Sequence, residues 1–154
     1  MTVLILALLI GVVAGLRAMT APAAVSWAAQ LGWLHLDGTW LAFLGYRFTP
    51  WIFSLFALAE LVTDQLPSTP SRKVPPQFIT RILMGGLSGG AIGASAGSLV
   101  AGIAAGAVGA VIGTLGGTAV RAKLASLFGS DRPAALLEDA VAIIGAFLIV
   151  SAAA

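Results

Sequence analysis

GGLSGGAIGASAGSLVAGIAAGAVGAVIGTLGG, residues 85–117, carries no charge, no proline and no aromatic ring. Its glycines recur in rows four residues apart: Gly85, Gly89, Gly93 and Gly97, then Gly102 and Gly106, then Gly109, Gly113 and Gly117. On a helix, residues four apart lie on one face, so each row makes a smooth groove. In water every such glycine costs about 1 kcal/mol relative to alanine, with little side-chain area to bury in compensation. In a bilayer the balance reverses. The backbone must satisfy its own hydrogen bonds as a helix, and small residues let neighbouring helices approach closely enough for dispersion to hold them together. The stretch therefore reads as the packing centre of an all-α integral membrane protein. It speaks of architecture and is silent about activity.

The composition of the whole chain agrees. Of its 154 residues, 59% are hydrophobic and 9% charged, with a mean hydropathy of +1.03, against about 25% charged residues in a soluble domain. A single transmembrane domain, 1–154, follows. Eight Lys and Arg against six Asp and Glu leave a net charge of +2, too small and too scattered for a nucleic-acid surface. The chain has no cysteine, which excludes disulfides, thiolate metal sites and cysteine nucleophiles. His35 is the single histidine and has no His or Cys partner, so neither a metal nor a cofactor is expected. VLILALLIGVVAGL, residues 3–16, has the length of a signal-peptide core. No basic residue precedes it, however, and Arg17 follows it, so it reads as a retained first helix.

A crossing needs about 20 mostly apolar residues, and the hydropathy pattern predicts five: 3–31, 51–66, 77–97, 98–127 and 133–153. An unbroken first helix would be about 45 Å long, more than a hydrocarbon core of about 30 Å requires. Pro22 removes a helical donor, which predicts a kink between residues 17 and 22. Residues 32–50 read as a connection on the membrane surface, because Trp33, Trp40 and Tyr46, followed by Trp51, have rings suited to the headgroup level. PSTPSRKVPP, residues 67–76, holds four prolines and cannot join the helices around it. A tight turn near Gly97 and Ser98 divides the glycine stretch into two helices. Gly129 is placed to cap the fourth helix, Ser130 or Asp131 to cap the fifth, and Pro133 stands in the first turn of that fifth helix.

With the N-terminus in the cytoplasm, the inside connections hold Arg72, Lys73, Arg81, Arg121, Lys123 and Arg132, and the outside connections hold only Arg47. That distribution obeys the positive-inside rule and predicts a multi-pass protein of the inner (plasma) membrane with its C-terminus outside. A faint internal repeat is also present. GLRAMTA around Arg17 matches GTAVRAKLA around Arg121, and each is followed by an acidic helix, ALAELVTD and ALLEDAVA. A 2+1+2 arrangement would set these halves in inverted orientation, as in secondary transporters.

Charged residues inside crossings cost about 2.5–3.5 kcal/mol each on insertion scales and need a partner or a wet cavity. Arg17 and Glu60 are the deepest, and Asp64 lies one turn beyond Glu60 on the same face. These three form the expected midplane site. Arg121, Glu138 and Asp139 form its expected cytoplasmic counterpart, although neighbours about 100° apart on a helix do not both face one ligand squarely. For both groups a solute or ion path stands beside a purely structural ion pair. Ser68, Thr69, Ser71, Arg72 and Lys73 combine hydroxyls and cations, as a contact for lipid headgroups or anions would. A cytoplasmic loop with topogenic charges has the same composition. No GxSxG, HExxH or Walker-type motif occurs, so an enzyme is not expected.

GLRAMTAPA, AELVTDQLPSTPSRKVPP, the glycine-rich middle and ALLEDAVAI stand in this order along the chain. In that order they resemble a bacterial membrane family catalogued as domain of unknown function 4126. The resemblance covers nearly the whole chain and implies an integral membrane protein, but it supplies no substrate and no residue roles. The leading expectation is a small transporter or channel-like protein moving a small solute or ion, with proton coupling through its intramembrane carboxylates. A homodimer is favoured, because five short crossings provide little wall and the glycine grooves could seat a second copy. The alternative is a membrane scaffold or lipid-binding protein whose charges hold its helices together.

Overall fold

The computed structural model describes residues 2–63, 75–129 and 131–153. Among the described residues there is no strand. The helices are α1 (Thr2–Leu16), α2 (Thr20–Gln30), α3 (Thr49–Thr63), α4 (Pro75–Ser95), α5 (Leu99–Phe128) and α6 (Asp131–Ala153), with a 3-10 turn, Trp40–Gly45, between α2 and α3. Two segments are long and apolar enough to cross a membrane: α5, and Pro133–Ala153 within α6. The helices α1 and α3 have 15 residues each and extend about 22 Å, short of a hydrocarbon core of about 30 Å. Asp64, Ser68, Thr69, Ser71, Arg72 and Lys73, all expected to carry function, lie outside the described residues.

The exterior is apolar. Leu55 and Leu58 of α3, Val100 and Val120 of α5, and Ile144 and Phe147 of α6 are all exposed, while Arg17, Arg81 and Glu138 are buried. This is the reverse of the distribution in a water-soluble bundle.

Glycine explains the interior. The row Gly85, Gly89 and Gly93 on α4 meets Gly102 and Gly106 on α5, backbone against backbone. A Cβ added to Gly89 would lie 2.5 Å from the Gly102 carbonyl oxygen, and one added to Gly102 would lie 2.5 Å from the Gly89 oxygen. The next turns of α5 receive α1: Gly109 faces the Leu8 carbonyl and Gly113 the Val12 carbonyl, while Gly11 abuts Gly106 and Gly15 abuts Ala110 and Thr114. No side chain fits at these crossings, so the helix axes come together and backbone dispersion takes the place of side-chain packing. Of the grooves expected to seat a second copy, those at Gly85, Gly89 and Gly93, at Gly102 and Gly106, and at Gly109 and Gly113 are filled by helices of the same chain, while Gly117 lines an open groove.

The α4–α5 turn is set by Gly97, at φ +77°. The Ser98 amide donates to the Gly93 carbonyl (2.7 Å) and the Gly97 amide to the Ala94 carbonyl (3.1 Å). This paired pattern closes a helix through a left-handed residue, and glycine adopts that conformation without steric penalty.

Around the inner layer of α1, α4 and α5 lie α2, α3 and α6, with α2 touching α3, α4 and α6. The Ser26 hydroxyl of α2 donates to the buried Leu44 carbonyl of the 3-10 turn (2.5 Å), and Trp27 Nε1 donates to Ser54 Oγ of α3 (2.7 Å). Trp27 also meets Trp51 edge to face, with ring centroids 5.1 Å apart. Ser26→Ala would leave the Leu44 carbonyl without this donor. It is expected to cost about 1–3 kcal/mol, read as a lower midpoint in thermal unfolding of the detergent-solubilised protein.

Candidate functional site

The first apolar helix stops after Leu16 for a covalent reason. Pro22 has no amide hydrogen, and in a continuous helix its ring would collide with the Ala18 carbonyl four residues back. The chain bends at residues 17–19 and restarts as α2, with Pro22 in the first turn, where a missing donor costs nothing. The Arg17 amide makes the final bond of α1, to the Val13 carbonyl at 2.7 Å. The next two amides, of Ala18 and Met19, would be orphaned by the break. Neither side chain can accept a hydrogen bond from a helix N-terminus, and Met19, the N-cap residue, makes no side-chain cap.

Glu60 of α3 supplies the acceptor. Its Oε2 takes the Ala18 amide at 2.9 Å and its Oε1 the Met19 amide at 3.0 Å. The carboxylate therefore sits at the positive end of α2, where the helix dipole favours it. Arg81 of α4 approaches from the other side, with Nη2 3.8 Å from Glu60 Oε2, while its Nη1 donates to the Gly15 carbonyl at 3.0 Å.

Arg17, completely buried, points the opposite way, toward α6. Its Nε donates to Asp139 Oδ1 at 2.5 Å, with Nη2 against the same oxygen, and its Nη1 donates to Glu138 Oε1 at 2.6 Å. Nη1 also reaches the Leu16 carbonyl at 2.9 Å, and Nη2 the Ala135 carbonyl at 3.5 Å. The guanidinium resolves the difficulty that two neighbouring carboxylates cannot face one ligand. Its donors spread in a plane, so one edge takes Asp139 and the other takes Glu138. Glu138 Oε1 is shared further with Arg121 Nη1 of α5, at 3.6 Å.

Three guanidiniums, of Arg17, Arg81 and Arg121, thus meet three carboxylates, of Glu60, Glu138 and Asp139, around the α1–α2 break. The expected grouping is rearranged: Arg17 joins the carboxylates of α6, and Glu60 joins α2 and Arg81. The two groups expected to be separate are bridged by Arg17, which stands at the break that Glu60 caps. The charge count treats Arg81 as a topogenic charge of a connection, and the structure places it elsewhere. It is 2% exposed and belongs to the site. The available signal was its position inside the crossing predicted at 77–97, where it is the only charge.

Three buried hydroxyls lie on α2, α4 and α5. Thr20 Oγ1, at the start of α2, Thr114 Oγ1, beside Gly15 on α5, and Ser88 Oγ, two turns beyond Arg81 on α4, have no hydrogen-bond partner among the described residues. Two apolar grooves flank α6. One, of about 320 Å³, includes the Arg121–Glu138 pair in an otherwise apolar lining that continues to Leu124 and Ala134; the other, of about 330 Å³, includes Thr20; neither is lined by Glu60. Among the described residues no group of three or more acidic or histidine side chains could hold a metal ion.

No family model, curated protein or solved structure matches the chain.

Proposed function

We propose that the protein is a small multi-pass transporter or channel-like protein of the plasma membrane, in which a small solute or ion passes the α1–α2 break and Glu60 carries the coupled proton. One observation carries the reading: the carboxylate of Glu60 holds the freed amides of a broken helix, with buried Arg81 beside it. Broken helices whose half-helix ends face a charge near mid-membrane are a recurrent way to build a transport site. Charged groups inside a bilayer protein are expensive enough that most of them serve a path or a relay. The hydroxyls of Thr20, Ser88 and Thr114 add hydrogen-bonding capacity that no described residue uses.

The expected single crossing 3–31 is replaced by a hairpin: α1 runs alongside α5, with Leu8 at Gly109 and Gly15 at Thr114, and His35 beyond α2 returns to Ser95 at the end of α4, so the break at 17–19 is the tip of the hairpin. A homodimer supplies the remaining wall through its outward apolar faces. Protonation would weaken the hold of Glu60 on the amides of Ala18 and Met19 and leave those donors, beside Arg81, to an incoming anion.

Glu60→Gln tests this. The glutamine carbonyl can still accept one of the two amide bonds, so the fold survives while the titrating group is lost. Vesicles containing the purified protein are loaded with a pH-sensitive dye and given inward gradients of chloride, acetate or phosphate. Wild type is expected to acidify the lumen faster than empty vesicles do, and Glu60→Gln to fall at least tenfold. Unchanged flux and unchanged pH dependence in Glu60→Gln would remove Glu60 from the path.

A second reading is favoured by the sharing of Glu138 Oε1 between two guanidiniums: the network is a latch and the protein a membrane scaffold. Wild-type vesicles no more permeable than empty ones under all three gradients would support it.

A further inference from the structure

The glycine crossings fix the direction of each helix relative to α5, which leaves the Gly97 turn at Leu99. α4 runs against it, with Gly93 at Gly102 and Gly85 at Gly106. α1 runs with it, from Leu8 at Gly109 to Gly15 at Thr114, so Thr2 stands toward the Gly97 end and Arg17 toward the other. The chain then turns back. α2 and the residues after it return until the His35 amide donates to Ser95 Oγ, 3.1 Å away and close to the Gly97 turn. α3 descends again past Trp27, which donates to Ser54, and brings Glu60 to the amides of Ala18 and Met19. α6 starts from the far end of α5, sets Glu138 and Asp139 against Arg17, and ends beyond Phe147, whose ring meets Trp33 with centroids 6.5 Å apart.

One end of the bundle therefore gathers Thr2, residues 31–48, the Gly97 turn and Ala153, and the other gathers Pro75, Phe128 and Asp131. The charges sort with these ends. Arg121, Lys123 and Arg132 belong to the second, as do Arg72 and Lys73, which just precede Pro75 in sequence, and Arg47 alone belongs to the first. The positive-inside rule puts the second end in the cytoplasm.

The tip of the hairpin stays within the bilayer. Gly15 lies beside Thr114, about 22 Å along α5 from Leu99 and about 10 Å short of the level of Arg121, inside a hydrocarbon core of about 30 Å. Irregular backbone at that depth is tolerated where protein buries it. Arg17 is 0% exposed and Ala18 4%, and Glu60 takes the two freed amides.

We infer that α1 and α2 form a re-entrant hairpin that enters and leaves from the outer side, that α3 to α6 make four crossings, and that Thr2 and Ala153 both stand outside. Five crossings, by contrast, put these two residues on opposite sides. The hairpin fills the bundle on the outer side of the ionic network, so the shorter way to Arg17 and Glu60 is from the cytoplasm. The placement holds whether or not a solute passes the break, and the labelling and flux measurements can fail separately.

The chain has no cysteine, so single cysteines report their side directly. Thr2, Asp37, Ser126 and Ser151 are all exposed. Thr2→Cys, Asp37→Cys and Ser151→Cys are expected to react with a membrane-impermeant sulfonated maleimide on intact bacterial spheroplasts at least tenfold more than Ser126→Cys does. Ser126→Cys is expected to react once the membrane is opened. Protection of Thr2→Cys until opening, with Asp37→Cys and Ser151→Cys reactive throughout, would restore a first crossing at 3–31 and overturn the inference. Reaction of Ser126→Cys alone on intact spheroplasts would overturn the sidedness, and equal reaction of all four, the mark of mixed insertion, would overturn it as well. Peptide tags fused before residue 1 and after residue 154 give a second reading that needs no reactive thiol. Both are expected to bind antibody on intact spheroplasts, and binding of one alone or of neither would overturn the inference.

Discussion

Arg17→Ala is expected to destabilise the protein by about 3–5 kcal/mol, the range seen when one partner of a buried ion pair is removed. The loss comes from what remains. Glu138 and Asp139, 9% exposed and half-buried respectively, would face each other across the space left by a guanidinium that is 0% exposed. Two like charges are then held together in a poorly solvated place. The measurement is reversible unfolding in mixed micelles, with increasing denaturing detergent and helicity as the readout. Arg17→Lys is expected to recover only part of the loss, since an ammonium cannot reach Asp139 along one edge and Glu138 along another. The triple variant Arg17→Ala, Glu138→Gln, Asp139→Asn is expected to recover more than the lysine, because it removes the stranded charges with their partner. Wild-type stability in Arg17→Ala would mean that α6 is held to α1 by other contacts and that the ion network is incidental to the fold.

The second large effect belongs to Gly106. Its backbone is the obstacle to a side chain on Gly11 of α1 and on Gly85 and Gly89 of α4, and a Cβ on Gly106 itself would run into the Gly85 carbonyl. Three helices therefore meet at one residue. Overpacking usually costs about 1–3 kcal/mol because side chains can move aside. Here the obstacles are main-chain atoms of Gly85 and Gly89 on α4, and the only relief is to part α4 from α5. Gly106→Leu is expected to exceed that range and to yield little folded protein, read as loss of the monodisperse peak in detergent chromatography. Gly116→Leu on the same helix is the control, because a Cβ there meets nothing within 4 Å, and is expected within about 0.5 kcal/mol of wild type. Similar behaviour of the two variants would mean that leucine is tolerated or rejected along α5 without regard to helix contact.

The helical class was legible because apolar composition and four-residue glycine spacing are properties of the chain itself. The turn at Gly97 followed from length, since residues 77–127 exceed one crossing. Which groove meets which helix was not legible: Gly102 and Gly109 look alike in sequence, yet one receives α4 and the other α1. The same distinction governs the charges. Counting residues from a helix end gives the height of Arg17, Glu60 and Glu138 but not their bearing around the bundle. Equal height suggested Arg17 beside Glu60, and the packing of α6 on α1 supplied Asp139 and Glu138 instead. Capping of α2 by Glu60 was hidden for a related reason. Cap rules concern residues within one turn of a helix start, and this acceptor comes from more than 40 positions away.

The bond between Arg17 and Glu138 joins residues 121 positions apart, and that separation is also an interval of time. At about 5–20 residues per second of synthesis, roughly 6–24 s pass between the making of the arginine and the making of the carboxylate. For that interval an inserted α1 would bear the cost of its charge without the help of α6. The helix made first thus has its final surroundings supplied by the helix made last, and α6 acts as the clasp of the assembly.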